Sequence, residues 1–294
     1  MCDYLRDQYA VSERRACRVI QIARGTHRHR PDQANGIALT AEIVRLSYQY
    51  GRFGYRKIYQ LLVGAGWRVS REAVRLIRKR EGLQVRKKQQ KKRLLGQSTT
   101  ELKRAEYPNH VWSYDVVFDQ TCEGRTLKHL TVVDEFTKEG LMIEVARSLT
   151  SGDVIRVLDY LFDIYGVPSC IKSDNGPEFV AKRVQDWLKE KRVNVRYIDP
   201  GSPWQNGTNE SFNAVFRDGC LDRWEFYSVA EARRVIEQWL EEYNTIRPHG
   251  SINMMTPRAF AAIHRQQWKQ VACLLYTSDA ADDNRLVDLS GVGG

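Results

Sequence analysis

The spacing of apolar residues changes character along the chain. Over roughly the first hundred residues it is helical. Leu5 to Tyr9, and a segment capped by Ser12 and running to Ile22, predict two short helices. A linker with His27, His29, Pro31 and Gly36 follows, and Thr40 to Tyr50 reads as a helix stopped at Gly51. Tyr55 to Val63 carries Ile58, Leu61 and Leu62 on one face before Gly64 and Gly66 end it. Ser70 then caps a helix to Arg80 that turns Val74 and Ile77 inward. Helix, glycine-containing turn, helix is a helix-turn-helix pattern.

From Val111 the period becomes two. Trp112, Tyr114, Val116 and Phe118 alternate with Val111, Ser113, Asp115 and Val117. Lys128 to Glu135 and Leu141 to Ala146 predict two more strands, so the three form an antiparallel meander. Asp153 to Tyr165 returns to helical spacing, Pro168 to Asp174 is a short strand, and Pro177 to Arg192 is a helix. Val193, Val195 and Tyr197 alternate as a fifth strand, and another helix starts near Gln205. Strands followed by alternating helix and strand predict an α/β fold, a mixed five-stranded sheet with flanking helices, preceded by an all-α region.

Charge sharpens this division. The 294 residues hold 46 Lys or Arg and 36 Asp or Glu, a net +10. Residues 1–106 carry 25 basic and 9 acidic side chains (+16), whereas residues 107–294 carry 21 and 27 (−6). The basic half is expected to meet a polyanion. Arg71, Arg75 and Arg78 recur at i, i+4, i+7, a face suited to DNA phosphates or a major groove. A basic linker over 85–106, with Arg86, Lys87, Lys88, Lys91, Lys92 and Arg93, is expected to follow a nucleic-acid backbone. A solvated face is the plain alternative for each.

Other classes are disfavoured. The six cysteines form no Cys-x-x-Cys pair, which argues against a disulfide framework or a zinc knuckle. Cys17, His27 and His29 have the wrong spacing for zinc. No run approaches the 18 or so apolar residues of a membrane span and no leader is apparent, so a cytoplasmic, nucleoid-associated protein is expected.

Three carboxylates stand out. Asp115 lies in an apolar strand, where an ionised group needs a partner. Asp174 ends the fourth strand before Asn175 and Gly176, at the sheet edge where α/β folds place ligands. Glu210 belongs to a helical polar stripe with Asn206, Asn213 and Arg217. Taken singly, each is as readily a turn, cap or surface residue.

Together they read Trp112-Ser113-Tyr114-Asp115, Ser173-Asp174-Asn175-Gly176-Pro177-Glu178-Phe179 and Gln205-Asn206-Gly207-Thr208-Asn209-Glu210-Ser211-Phe212-Asn213, with thirty-five residues between Asp174 and Glu210. This order resembles the DDE core of insertion-sequence transposases of the IS-three type (the second-reading-frame product) and, more distantly, retroviral integrases. Val132 to Thr137, Tyr243-Asn244, Arg247-Pro248-His249 and Thr256-Pro257 to Phe260 extend the resemblance, as do Arg52 to Ile58 and Glu81 to Leu83 upstream.

The resemblance implies an RNase-H-like core over 107–265 behind a helix-turn-helix region over 1–84. It implies a DNA transposase in which Asp115, Asp174 and Glu210 are the catalytic, metal-holding carboxylates. Hard oxygen ligands suit two Mg²⁺ or Mn²⁺ ions per active site. The activity implied is cleavage exposing a 3′-hydroxyl, then strand transfer. Lys172, Asn175, Asn206, Asn213 and Arg217 become candidate DNA contacts, Asp134 a possible fourth acid more simply read as a strand-end residue, and His249 a turn or packing residue.

Implied partners are double-stranded DNA (element terminal repeats and target), further copies of the chain in a homo-oligomer, and an upstream-frame protein with a helix-turn-helix and a coiled coil. The alternative from another class is a catalytically inactive DNA-binding regulator derived from a transposase; a retroelement integrase is a third, disfavoured by the helix-turn-helix. Residues 274–294, acidic and glycine-rich, continue no motif and are expected to be a disordered, non-native tail.

Overall fold

The computed structural model describes residues 1–28, 33–85, 104–173, 181–197 and 207–268. The chain divides into two compact units, one of Met1–Leu62 with Trp67–Val85, the other the remainder. The basic linker residues 86–93 and the tail 274–294 lie outside the described residues.

The first unit contains helices α1 (Cys2–Tyr9), α2 (Glu13–Val19), α3 (Arg24–Arg28), α4 (Gln33–Gln49), α5 (Tyr55–Gly64) and α6 (Arg71–Arg80). Ser12 and Ser70 cap α2 and α6 as predicted, their hydroxyls accepting the N–H groups of Arg15 and Ala73. Two features depart from the sequence reading. α4 begins at Gln33 and takes in Gly36, whose carbonyl accepts the Thr40 hydroxyl at 2.8 Å, and α3 occupies part of the expected linker. Ile43, Leu46, Phe53, Ile58, Leu62 and Val74 form the buried core.

Arg78 corrects the predicted DNA face. It follows Val74 by one turn and therefore points inward, only 4% exposed. Its guanidinium donates to the carbonyls of Phe53 and Leu83, each at 2.7 Å. Arg71 and Arg75 remain on the outer side of α6. Arg71 lies over the Tyr59 ring, 5.5 Å from its centroid, and Arg75 Nε donates to Glu72 at 2.8 Å.

In the second unit, strands β1 (Val111–Gln120), β2 (Thr126–Asp134), β3 (Gly140–Ala146), β4 (Cys170–Ser173) and β5 (Asn194–Tyr197) form one sheet of order β3-β2-β1-β4-β5. The β3-β2-β1 pairs are antiparallel, and β4 and β5 join in parallel. This is the mixed RNase-H-like sheet expected, with helices α7 (Ser151–Tyr165), α8 (Lys182–Glu190), α9 (Gly207–Gly219), α10 (Val229–Thr245) and α11 (residues 257–268). A reciprocal capping box between Thr150 and Asp153 starts α7. α8 starts at Lys182 with Ala181 at its N-cap, and the predicted start at Pro177 lies outside the described residues.

Alternation along the strands sorts residues into two layers. Trp112, Tyr114, Leu130 and Val132 pack with Leu158, Leu161 and Phe162 of α7 and Leu188 of α8. Truncating buried Trp112, which meets the Phe162 ring at 5.7 Å, would cost about 3–5 kcal/mol. The opposite layer joins Val117, Leu127, Val133, Ile143 and Val145 to Phe212 and Phe216 of α9 and Ile236 and Tyr243 of α10. By the same alternation, Asp115 belongs to the α9 side.

Candidate active site

β1 is the central strand, and Asp115 stands directly opposite Thr131 of β2. Asp115 Oδ1 accepts the Val116 N–H at 2.7 Å, while Oδ2 accepts Asn213 Nδ2 from α9 at 2.8 Å. The Thr131 hydroxyl donates to Asn213 Oδ1 at 3.0 Å. The acceptor-only carboxylate settles which way the Asn213 amide faces: its nitrogen meets Asp115, which leaves its oxygen to Thr131. Glu210 precedes Asn213 by three residues and so shares its side of α9, exposed in the first turn.

The local chemistry suits a hard cation. Asp115 and Glu210 offer carboxylate oxygens, the donor type such ions prefer. Among the described residues, buried Ser113 Oγ, Ser173 Oγ and Asn209 Nδ2 have no hydrogen-bond partner. Ser113 neighbours Asp115 by two residues in β1, Ser173 ends β4, and Asn209 precedes Glu210.

The other predicted site residues fare differently. Asp174, Asn175 and Asn206 lie outside the described residues. Lys172 is not an open phosphate contact, because both Glu135 carboxylate oxygens accept from its ammonium at 2.9 Å in a largely buried pair. Asn213 holds a carboxylate rather than facing outward, and Arg217 donates to the Phe118 carbonyl at 3.0 Å while remaining exposed.

Asp134 is fully buried and accepts the N–H groups of Asn109, Phe136 and Thr137, which makes it the anchor of the β2–β3 turn. Burial pushes its carboxyl up, with those three bonds opposing. His249 Nδ1 accepts the Ser251 N–H two residues on, in keeping with a turn residue.

Sequence reasoning missed Thr131 and Asn209. Nothing local distinguishes a strand threonine or a helical asparagine that turns inward. It also missed His129, buried on the α9 side with its ring edge-on to Phe216 at 5.6 Å and both nitrogens unpartnered. Burial pulls that imidazole down to about 4, with Arg217 adding to the effect.

Comparison with known proteins follows the same lines. The integrase core domain family matches residues 105–203 and again 191–257. The uncharacterized 39.2 kDa protein of insertion element IS476 from Xanthomonas euvesicatoria is 39% identical, over 87% of this chain and 74% of its own. The uncharacterized 31.7 kDa protein of insertion element IS407 from Burkholderia multivorans is 36% identical, over 89% and 94%. The putative transposase InsK of insertion element IS150 from Escherichia coli is 23% identical, over 70% and 76%.

Proposed function

Because the chain belongs to the insertion-element transposases with an integrase-like core, we propose that it cuts and joins DNA at the ends of an insertion sequence through the carboxylates of Asp115, Asp174 and Glu210. The observation that carries this reading is the Thr131–Asn213–Asp115 chain of hydrogen bonds, which ties one acid of the central strand to the helix bearing another. A carboxylate on a central strand and one on a packed helix are held on rigid elements, as an in-line phosphoryl displacement requires.

Asp115, Asp174 and Glu210 would hold two Mg²⁺ or Mn²⁺ ions. Such ions, when bound, activate an attacking oxygen and stabilise a leaving one. The chain's own residues do the positioning: Asn213 fixes the Asp115 carboxylate in one orientation, and α9 carries Glu210 three residues ahead of Asn213. In the first step a water oxygen bonds to phosphorus and a 3′-oxygen leaves, taking a proton. In the second, that 3′-hydroxyl attacks another phosphodiester and displaces its 3′-oxygen, so the number of phosphodiester bonds is conserved.

Double-stranded DNA is the substrate in this reading, and the chain acts as a homo-oligomer on paired ends, with an upstream-frame protein as a further partner. No observation favours the inactive-regulator alternative. Among the described residues, no helix is long and apolar enough to cross a membrane.

The test is cleavage and strand transfer on duplexes bearing the element's terminal repeats, with Mg²⁺, Mn²⁺ or chelator. Asp115→Asn, Asp174→Asn and Glu210→Gln should each lower both rates by roughly 10⁴-fold, the scale of losing one member of a concerted catalytic group, while leaving DNA-end binding in place. Wild-type rates in any of the three would remove that residue from the mechanism.

A further inference from the structure

A second feature lies close to the acids without taking part in their chemistry. A recess of about 200 Å³ is floored by Val133, Phe212 and Tyr243 and rimmed by Lys138, Ser211 and His249. Ser211 directly follows Glu210 in α9, so the recess adjoins the candidate active site.

Lys138 is the unusual element of this wall. Its backbone is left-handed, with φ of 62°, a conformation that side chains other than glycine and asparagine seldom adopt. Bonds on both sides of the residue hold it there: its N–H donates to the Asp134 carbonyl at 2.9 Å, and its own carbonyl accepts the Tyr243 hydroxyl at 3.2 Å. The side chain is half-buried, and its ammonium donates to Thr208 Oγ1 at 3.1 Å. An ammonium has three N–H donors, so that bond leaves capacity for an anion at the rim. Burial pulls the amine down, against the opposing pull of Glu135 and Asp134, and a phosphate nearby would offset that cost. Glu135 itself is bound to Lys172.

We propose that this recess receives one unstacked nucleotide of the DNA strand being processed, its base against Phe212, Val133 and Tyr243 and its phosphate at Lys138. An apolar floor, in which the Phe212 and Tyr243 rings stand edge to face, with a cationic rim is the complement of a single nucleotide. The volume is below the roughly 300–1,000 Å³ of pockets that enclose drug-sized ligands, so it accommodates one base and not a base pair. Unstacking one nucleotide costs a few kcal/mol, and extruding it presents the neighbouring phosphodiester to the acids. The proposal rests on the transposase reading and adds where the strand lies.

The experiment uses the full chain and duplexes of the terminal repeat in which 2-aminopurine replaces, one at a time, each of the last three bases. With wild type, fluorescence should rise on binding at one position. Lys138→Ala, which removes the cation, and Ser211→Trp, which fills the recess from an exposed site, should abolish that rise and increase KM for cleavage at least about 10-fold, with kcat changed less and Lys138→Arg restoring much of the loss. Ser211→Trp decides the matter should Lys138→Ala fail to fold. If no position brightens with wild type, or if both variants keep wild-type fluorescence and KM, the recess is not a nucleotide site. A wild-type protein that cleaves nothing with divalent metal would instead defeat the transposase reading itself.

Discussion

Asn213 bonds at both ends of its amide, to Thr131 and to Asp115, so its effect on the site is orientation rather than ligation. Residues that orient a metal-ligating group typically contribute 10–100-fold to affinity or activity. Asn213→Ala is therefore expected to lower the cleavage rate by about 10–100-fold and to raise the metal concentration needed for half-maximal rate, while DNA-end binding stays unchanged. A metal titration of the variant checks this.

His129 makes a separate prediction. With the imidazole near 4 in the folded protein against about 6.5 when unfolded, the unfolded chain binds more protons between those values. The stability it contributes is present above about pH 6.5 and is lost as pH falls through about 4, on the order of 3 kcal/mol in all. His129→Leu should flatten that part of the stability curve, as measured by denaturant midpoints from pH 7 to 4. An unchanged slope would mean that another group titrates there.

At the scale of elements, the contact of α10 with β3 depends on close approach. A Cβ at Gly140 would lie 2.6 Å from Leu240 Cδ1 and 2.8 Å from Phe212 Cε2. Beside it, the pairing register of β2 with β3 shifts at Val132/Val133, and the Asn244 side chain of α10 serves the strand there. Its Oδ1 accepts the Gly140 N–H at 3.0 Å and its Nδ2 donates to the Gly140 carbonyl at 2.8 Å. Gly140→Ala is expected to cost about 1–3 kcal/mol through overpacking, and Asn244→Ala a similar amount through unpaired buried groups. Both should appear as lower midpoints of unfolding with little change in the denaturant slope.

Over the whole molecule, the net +10 conceals a basic first third, and in the proposed reading that third grips DNA. Binding should weaken steeply with salt. Arg71→Ala should reduce the slope of log affinity against log salt by about 1, as expected when one phosphate contact is lost. Arg78→Ala should leave the slope of the folded protein unchanged and lower its melting temperature, because Arg78 bonds the Phe53 and Leu83 carbonyls from inside the unit. An equal fall in slope for both variants would restore Arg78 to the DNA face.

By itself the sequence determined what is encoded locally or in the order of motifs. The switch from period 3.6 to period 2, the serine caps of α2 and α6 and the five strands follow from side-chain alternation and cap chemistry, which act over a few residues, while the family follows from the order of the motifs. Boundaries slipped where a helix absorbs a residue expected to break it, as α4 does with Gly36. Tertiary structure alone decided the partners of polar side chains.

Lys172 and Arg78 look like surface cations in sequence, yet one meets Glu135 across 37 residues and the other reaches the Phe53 carbonyl across 25. The sulfurs of Cys2 and Cys17 meet at 3.3 Å although their spacing suggests nothing. Thr131 and Asn213, 82 residues apart, come together only because α9 lies across β1 and β2. The physical reason is common to all four cases. A buried polar group must find a partner, and which partner is within reach depends on how sheet and helices pack, not on the residues beside it in the chain.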